Sequence, residues 1–255
     1  PLAAAGFEVI VPDLRGFGDS DVSADGLHDV FAHSADLYAL VHDELGHEQV
    51  VLVGGDLGGP VIQDLALRHP EWVSRMVLFN SPLPYLKEAM AGIPGTRAPR
   101  EAADYFFRQG NDPDGLAAEL STPEQRRRYI ATFYTSRFWA HPGAFAGAGE
   151  VEFHTEPFAD AAHLRASFGG YESSFHEHAR SEPSILGANT NTPTLILHGP
   201  SDHVIYPAFD LMAAKVFARH VGPFQLRDCG HFVPWEAPHA LVSGTAAFCS
   251  DLLAG

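Results

Sequence analysis

Short apolar runs alternate near both ends of this chain with segments whose apolar residues recur every three or four positions. The runs rich in β-branched residues, which we predict to be strands, span residues 7–12, 49–54, 75–80, 193–198 and 223–227. Helices are predicted over residues 30–45, 59–69, 207–219 and from about residue 235. Because strands separated by helices need crossover connections, the alternation predicts an α/β fold with a mostly parallel sheet and helices on both faces.

The alternation stops between Pro82 and Asn189, where helix-forming residues, aromatics and prolines dominate. We predict that residues 82–189 form a helical cap inserted into an α/β core made of residues 1–81 and 190–255. With 255 residues, of which 45% are hydrophobic, the chain is long enough to bury one core and a smaller lid.

Charge and cysteine content exclude several classes of partner. The formal net charge of -16 repels phosphate backbones, and the basic run at 126–128 is interpreted as the exposed face of a helix, so we expect no nucleic-acid partner. No apolar stretch approaches the ~20 residues that a bilayer span requires. The two cysteines, Cys229 and Cys249, offer neither a disulfide framework nor a CxxC metal pair, which favours the cytoplasm.

Asp56 occupies a turn with two glycines on each side in the sequence Gly54-Gly-Asp-Leu-Gly-Gly59, between a predicted strand and a predicted helix. Such a turn leaves room for one reactive side chain and is typical of a nucleophile elbow. Two further candidates follow later strands, Asp202 after the run at 193–198 and His231 after the run at 223–227. All three side chains are expected at the carboxyl edge of the sheet, where parallel sheets bind ligands.

These features resemble the α/β-hydrolase superfamily over nearly the whole chain. The resemblance includes the runs Asp13-Leu-Arg-Gly-Phe-Gly-Asp-Ser20 and Gly230-His-Phe-Val-Pro-Trp-Glu-Ala-Pro238. An aspartate in the elbow narrows it to the branch of epoxide hydrolases and haloalkane dehalogenases. The resemblance implies that Asp56 is the nucleophile, that His231 activates water and that Asp202 orients His231. It also implies that the backbone N–H of Leu57 supplies one oxyanion-hole donor.

The carboxylate nucleophile indicates the substrate class. Attack at an sp3 carbon leaves an ester that a histidine-activated water can cleave, whereas attack on an acyl group would leave an anhydride. Haloalkane dehalogenases carry a tryptophan directly after the nucleophile, but this chain has Leu57. Fluoroacetate dehalogenases carry arginines soon after the elbow, but here residues 57–67 contain none and the first arginine after the elbow is Arg68. Both departures favour an epoxide over a halide. The chain departs from epoxide hydrolases as well, since Gly55 and Leu57 replace the usual histidine and tryptophan.

Epoxide hydrolases protonate the opening ring with two tyrosines from the cap, and Tyr105 and Tyr171 resemble that pair. Each can equally be a packed core aromatic. Four further aromatic residues are predicted to contact the substrate, namely Tyr134, Phe106, Trp139 and Phe232. The expected partners are a small apolar substrate and water, and we expect no metal and no cofactor. The protein is a candidate homodimer. A dehalogenase with the same triad and an inactive ligand-binding relative of the family are the alternatives.

In the superfamily, one more strand lies between the strands expected here at 7–12 and 49–54, and it precedes an oxyanion loop that usually contains His-Gly-x-Pro. Neither feature occurs in the chain. Because an open gap would leave two rows of backbone groups unpaired in the core, we expect several tens of additional N-terminal residues in the native protein.

Overall fold

A computed structural model describes residues 1–94, 100–205 and 207–253, without the side chains of residues 100–103. Its sheet has four strands, β1 (Val50–Gly55), β2 (Val73–Phe79), β3 (Thr194–His198) and β4 (His220–Gln225). They lie in the order β1-β2-β3-β4, and each neighbouring pair is parallel. The predicted parallel α/β sheet is therefore confirmed.

The helices are α1 (Val30–Tyr38), α2 (Gly58–Arg68), α3 (Arg100–Asn111), α4 (Pro113–Glu119), α5 (Pro123–Thr135), α6 (Glu150–Thr155), α7 (Ala161–Ser167), α8 (Gly169–Phe175), α9 (Phe209–Val216), α10 (Val233–Glu236) and α11 (Pro238–Phe248). A π-helical stretch, Ala39–Glu44, extends α1. The left-handed Gly46, with φ 73°, ends that extension as the sequence predicted. Within the described ranges, no helix is both long and apolar enough to span a bilayer.

The two faces of the sheet are buried under different helices, because successive side chains of a strand point to opposite sides. On one face, Met76 and Leu78 of β2 pack in a core with residues of α1, α2 and α9. On the other face, Val77 and Phe79 pack with Val233 of α10 and with α11. This arrangement confirms the prediction of helices on both faces.

The prediction of a buried strand at residues 7–12 is wrong. The segment has no strand assignment, and Val9, Ile10 and Val11 are exposed. A strand needs a hydrogen-bonded neighbour, but β1 lies at the edge of the described sheet and pairs only with β2. No described residue occupies the position of the strand that the sequence analysis expects between residues 7–12 and β1.

The last strand begins earlier than the predicted range of 223–227. β4 spans His220–Gln225 because His220 and Val221 pair with Thr194 and Leu195 at the start of β3. Pro223 lies within β4, and it is tolerated there because an edge strand does not need every N–H for pairing. The shift leaves residues 226–231 as a loop beyond the carboxyl end of β4.

Six helices, α3 to α8, lie between β2 and β3, in the region predicted to be the cap. They have a small core of their own, formed by Leu116, Ile130, Leu164 and Phe168. The boundaries of the cap at residues 82 and 189 remain a prediction.

The interpretation of residues 126–128 as an exposed basic face is wrong for Arg126, which is buried. Its guanidinium donates hydrogen bonds to the backbone carbonyls of Leu120 and Ala159, which end neighbouring turns. Arg126 thus joins α5 to the segment before α7, whereas Arg127 and Arg128 are exposed. A buried guanidinium satisfied by carbonyl groups is consistent with the general rule that buried charges are hydrogen-bonded.

Gly55 generates the first testable prediction, since a Cβ there would lie 2.2 Å from the ring of Phe79 and 2.6 Å from its carbonyl oxygen. We expect Gly55→Ala to lower the free energy of unfolding by about 1–3 kcal/mol through overpacking. Gly58→Ala is the matched control, because a Cβ at Gly58 would meet no atom within 4 Å. Urea denaturation measures both, and equal stability of the two variants would contradict the packing described for β1 and β2.

Candidate active site

Asp56 lies at the end of β1, where the chain turns into α2. Its φ of 44° is in the left-handed region, which is unusual for a residue other than glycine. Hydrogen bonds hold this turn at both ends, because Asp56 N donates to Asn80 O at 3.0 Å and Gly59 N donates to Asp56 O at 3.0 Å. A strained backbone conformation between a parallel strand and a helix is the geometry of a nucleophile elbow.

The structure brings the three sequence-predicted residues Asp56, Asp202 and His231 together. His231 Nδ1 is 2.8 Å from Asp202 Oδ2, and His231 Nε2 is 3.5 Å from Asp56 Oδ2. The side chains of Asp202 and His231 are 1% and 3% exposed, whereas that of Asp56 is 41% exposed. Asp56 is therefore the member of the set that a substrate can reach.

Asp202 is a buried carboxylate whose two oxygens are both hydrogen-bonded. Oδ1 accepts from the backbone N–H groups of Val204 and Ile205 at 2.7 and 3.1 Å. Oδ2 accepts from His231 and from Asn80 Nδ2, the latter at 3.0 Å. Burial acts to raise the pKa of Asp202, but the charge and hydrogen bond of His231 and these backbone donors lower it below 3.8. Asp202 is thus held as an anion.

Asn80 is a site residue that the sequence analysis did not identify. Its fully buried amide donates to Asp202 Oδ2, to Gly199 O and to Gly230 O, and its Oδ1 accepts from Gly199 N at 2.8 Å. One side chain thereby joins the loops that carry Asp202 and His231 to the end of β2. The available signal was its position, since Asn80 directly follows β2 as Asp56 directly follows β1.

His231 is surrounded by opposing influences on its charge. Burial acts to lower its pKa, but the negative charges of Asp202 and Asp56 and the hydrogen bonds to both carboxylates raise it from 6.5 to about 10. The imidazole is therefore a cation while Asp56 is ionised. The pKa of His231 falls once the charge of Asp56 is removed, so the imidazole then loses its proton more readily and can become neutral.

Trp139 connects the region between α5 and α6 to the catalytic histidine. Its backbone oxygen accepts from His231 N at 2.7 Å, and its ring meets the imidazole edge-on at a centroid distance of 4.7 Å. The ring centroid of Phe232 is 5.2 Å from that of His231, and the rings of Phe232 and Trp139 stack on each other at 6.2 Å. Both aromatic residues predicted to contact a substrate near the histidine are therefore in the site.

Two tyrosines from the same helical region, Tyr171 and Tyr134, lie close enough to Asp56 to be affected by its charge, and Tyr105 contacts Tyr171. Burial followed by the charge of Asp56 raises the pKa of Tyr171 well above 10 and that of Tyr134 to about 12. The side chain of Tyr105 hydrogen-bonds to Tyr171, and their rings are 5.6 Å apart. The phenols of Tyr171 and Tyr134 consequently keep their protons at neutral pH and can act as hydrogen-bond donors near the carboxylate of Asp56.

Further aromatic side chains pack against these tyrosines. Phe106 meets Tyr171 at 5.8 Å, and Tyr134 stacks on Phe232 at 4.7 Å. Leu57, the residue after the nucleophile, has its side chain next to Gly170, because a Cβ at Gly170 would be 3.4 Å from Leu57 Cδ1. The carboxylate of Asp56 and the imidazole of His231 are therefore covered by largely apolar side chains, among which the phenol groups can donate hydrogen bonds.

Comparisons with known proteins show the family to which this chain belongs. The family model for the α/β hydrolase fold matches residues 1–238. The soluble epoxide hydrolase of Corynebacterium sp. (strain C12) is 28% identical over 260 residues, covering 99% of this chain and 84% of that protein. A 2-hydroxymuconate semialdehyde hydrolase of Pseudomonas putida is 44% identical over 237 residues, covering 89% of this chain and 72% of that protein.

Among solved structures, that of epoxide hydrolase CorEH without ligand matches with a TM-score of 0.76 at 23% identity. The match covers 99% of this chain and 85% of the other chain. At this identity, the structural likeness shows the fold.

The raised pKa of His231 predicts a pH dependence of stability. A folded pKa of about 10 against 6.5 in the unfolded chain means that the folded state holds the extra proton between these values. The contribution of His231 to stability is therefore complete below pH 6.5 and is lost as pH rises towards 10. We expect the free energy of unfolding of the protein to fall more steeply over this interval than that of His231→Gln. Parallel curves in urea denaturation across the pH range would contradict the assignment.

Proposed function

The chain belongs to the α/β-hydrolase fold family, and we propose that it is an epoxide hydrolase that opens an apolar epoxide to a diol through an ester on Asp56. The observation that carries the proposal is the accessible carboxylate of Asp56, 3.5 Å from His231 Nε2 and facing the phenols of Tyr171 and Tyr134. Opening of an epoxide needs a nucleophile on one side of the ring and a proton donor on the other.

Location of the protein in the cytoplasm remains a prediction from the cysteine content.

In the first step, a carboxylate oxygen of Asp56 attacks an epoxide carbon, and the bond between that carbon and the ring oxygen breaks. The departing oxygen takes a proton from Tyr171. Tyr105, which is hydrogen-bonded to Tyr171, is the proposed second tyrosine of the pair. The charge of Asp56 is one cause of the raised pKa of Tyr171, and ester formation removes that charge. The phenol therefore becomes more acidic as the alkoxide develops.

In the second step, His231, no longer facing the charge of Asp56, passes its proton to the phenolate that the first step leaves on Tyr171. The neutral imidazole then takes a proton from a water molecule that attacks the ester carbonyl of Asp56. The backbone N–H of Leu57, at the start of α2, is the proposed donor to the oxyanion. Collapse of the tetrahedral intermediate releases the diol and restores the carboxylate. Each turnover thus adds one water to the epoxide. The leaving alkoxide takes the proton that His231 took from water, and the Asp56 carboxylic acid returns its own proton to His231, which restores the starting state.

The carboxylate separates this proposal from acyl hydrolysis. The 44% identity to a 2-hydroxymuconate semialdehyde hydrolase gives a second candidate class of substrate, a carbonyl compound. Attack of Asp56 on a carbonyl of such a compound would form an anhydride. The proposed roles of Asp56 and His231 instead require an ester that activated water can cleave. We therefore place the epoxide first, and turnover of a semialdehyde with inert epoxides would reverse that order.

Leu57 and its surroundings disfavour dehalogenation. A departing halide needs N–H donors, but the side chain after the nucleophile is aliphatic and lies near Gly170 of the cap region. The phenols of Tyr171 and Tyr134 offer donors suited to an oxygen that acquires a proton. Release of halide from haloalkanes would support the dehalogenase alternative, and absence of all turnover would support an inactive relative.

The substrate is proposed to be an apolar epoxide with an aromatic or similarly flat group. The surfaces available beside Asp56 are the rings of Phe106, Trp139, Phe232 and Tyr134, which offer apolar contact and stacking rather than charge pairing. We expect an aryl epoxide such as styrene oxide to be turned over faster than an epoxide that carries a carboxylate.

Replacement of His231 tests the covalent ester directly. With His231→Gln, an aryl epoxide should add its full mass to the protein, because Asp56 can still attack while no base activates water. Intact-mass spectrometry measures the adduct, and Asp56→Asn in the same background should abolish it. His239→Gln changes an exposed histidine and is expected to turn over normally without an adduct. An unmodified His231→Gln protein after long incubation argues against the mechanism.

Replacement of Tyr171 tests the proton donor. Tyr171→Phe keeps the ring contacts with Phe106 and Tyr105 but removes the hydroxyl. We expect the rate of ester formation to fall by about a hundredfold, since a positioned general acid contributes at least that much. The control is Tyr85→Phe, because Tyr85 is exposed. Equal single-turnover rates for the two variants would assign the donor role elsewhere.

A further inference from the structure

Three backbone N–H groups from two distant parts of the chain meet on the carboxylate of Glu236, in α10. Oε2 accepts from Gly230 N and from His141 N, both at 2.8 Å. Oε1 accepts from Phe232 N at 2.9 Å. Gly230 and Phe232 are the residues on either side of His231, so Glu236 holds the backbone before and after the catalytic histidine.

His141 belongs to the segment 136–141, between α5 and α6, and this segment grips both catalytic loops. Trp139 O accepts from His231 N at 2.7 Å, and Phe138 O accepts from His203 N at 2.8 Å, directly after Asp202. The segment 136–141 and the loop that carries His231 are thus hydrogen-bonded to each other, and both are also hydrogen-bonded to the carboxylate of Glu236.

The contact leaves no free space. A Cβ at Gly230 would be 2.4 Å from Trp139 O and 2.8 Å from His141 N, and one at Gly199 would be 2.0 Å from Gly230 O. Because neither the segment nor the loop can move independently, the position of His231 relative to Asp56 depends on the bonds that hold them together.

We propose that Glu236 is a positioning residue that fixes His231 against the cap segment 136–141, so that water activation depends on its carboxylate. The proposal rests on the proposed function in one respect, that His231 serves ester hydrolysis. The carboxylate of Glu236 is bonded to the backbone N–H groups of Gly230, Phe232 and His141, so we expect its replacement to act on His231 and to leave formation of the ester unchanged.

Glu236→Gln is the primary test because it preserves the shape but replaces one acceptor oxygen by an NH₂ group that faces an N–H donor. Pre-steady-state kinetics with an aryl epoxide separate ester formation from ester hydrolysis. We expect hydrolysis to slow by about tenfold to a hundredfold, the effect of a small misplacement of a reacting group, while formation stays at the original rate. The ester should then accumulate, as in His231→Gln.

Glu182→Gln is the matched control, since Glu182 is exposed and lies between α8 and β3. Glu236→Asp is a second variant, which keeps the charge but withdraws the carboxylate by one methylene group, and it should slow the same step. Equal slowing of both steps in the Glu236 variants, or no slowing, overturns the proposal. Failure of both variants to fold, judged by near-UV circular dichroism, also overturns it and makes Glu236 a structural residue.

Hydrogen exchange provides a readout that does not require the proposed chemistry. The amides of Gly230, Phe232 and His141 should exchange faster in Glu236→Gln than in Glu182→Gln, and unchanged exchange would show that Glu236 does not hold the loop. If the unmodified protein forms no ester from any epoxide, the proposed function fails, and the exchange result still decides whether Glu236 connects the loop to the cap segment.

Discussion

The buried ion pair of Asp202 and His231 is the interaction on which the rest of the site depends. A carboxylate that is 1% exposed is stable only if its oxygens are satisfied, and Asp202 obtains donors from its own loop, from Asn80 and from His231. Those donors come from the ends of β2 and β3 and from the loop after β4. The sheet order therefore determines where the catalytic loops meet, and the cap segment 136–141 closes over them through backbone bonds to both.

The charges of the site are mutually dependent in a way that suits two successive steps. While Asp56 is ionised, its charge contributes to raising the pKa values of both His231 and Tyr171. Ester formation removes that contribution from both groups at once. Under the proposed mechanism, the phenol becomes a better acid when an alkoxide needs a proton, and the imidazolium loses its proton more readily, which leaves a neutral imidazole when water must be activated. In that mechanism, the charge state of Asp56 determines when each of the two proton transfers is favoured.

Much of the fold and site could be predicted from local sequence. Asp56, Asp202 and His231 each follow a strand, so parallel pairing alone predicts that they share one edge of the sheet. The segment at 7–12 looked equally strand-like, but pairing depends on a neighbour that local sequence cannot specify. The roles of Asn80, Arg126 and Glu236 could not be predicted for a related reason. Their hydrogen-bond partners are distant in sequence or are backbone groups, which no residue type in the sequence identifies.

The central claim is that the oxygen added to the substrate passes through the carboxylate of Asp56. Reaction with an aryl epoxide in heavy-oxygen water, over many turnovers, followed by mass spectrometry of the peptide that contains Asp56, tests this most directly. A covalent ester cleaved at its carbonyl predicts heavy oxygen in the Asp56 carboxylate, and in a single turnover a diol that carries light oxygen. Diol formation with an unlabelled Asp56 peptide would mean that water attacks the epoxide directly and would contradict the account.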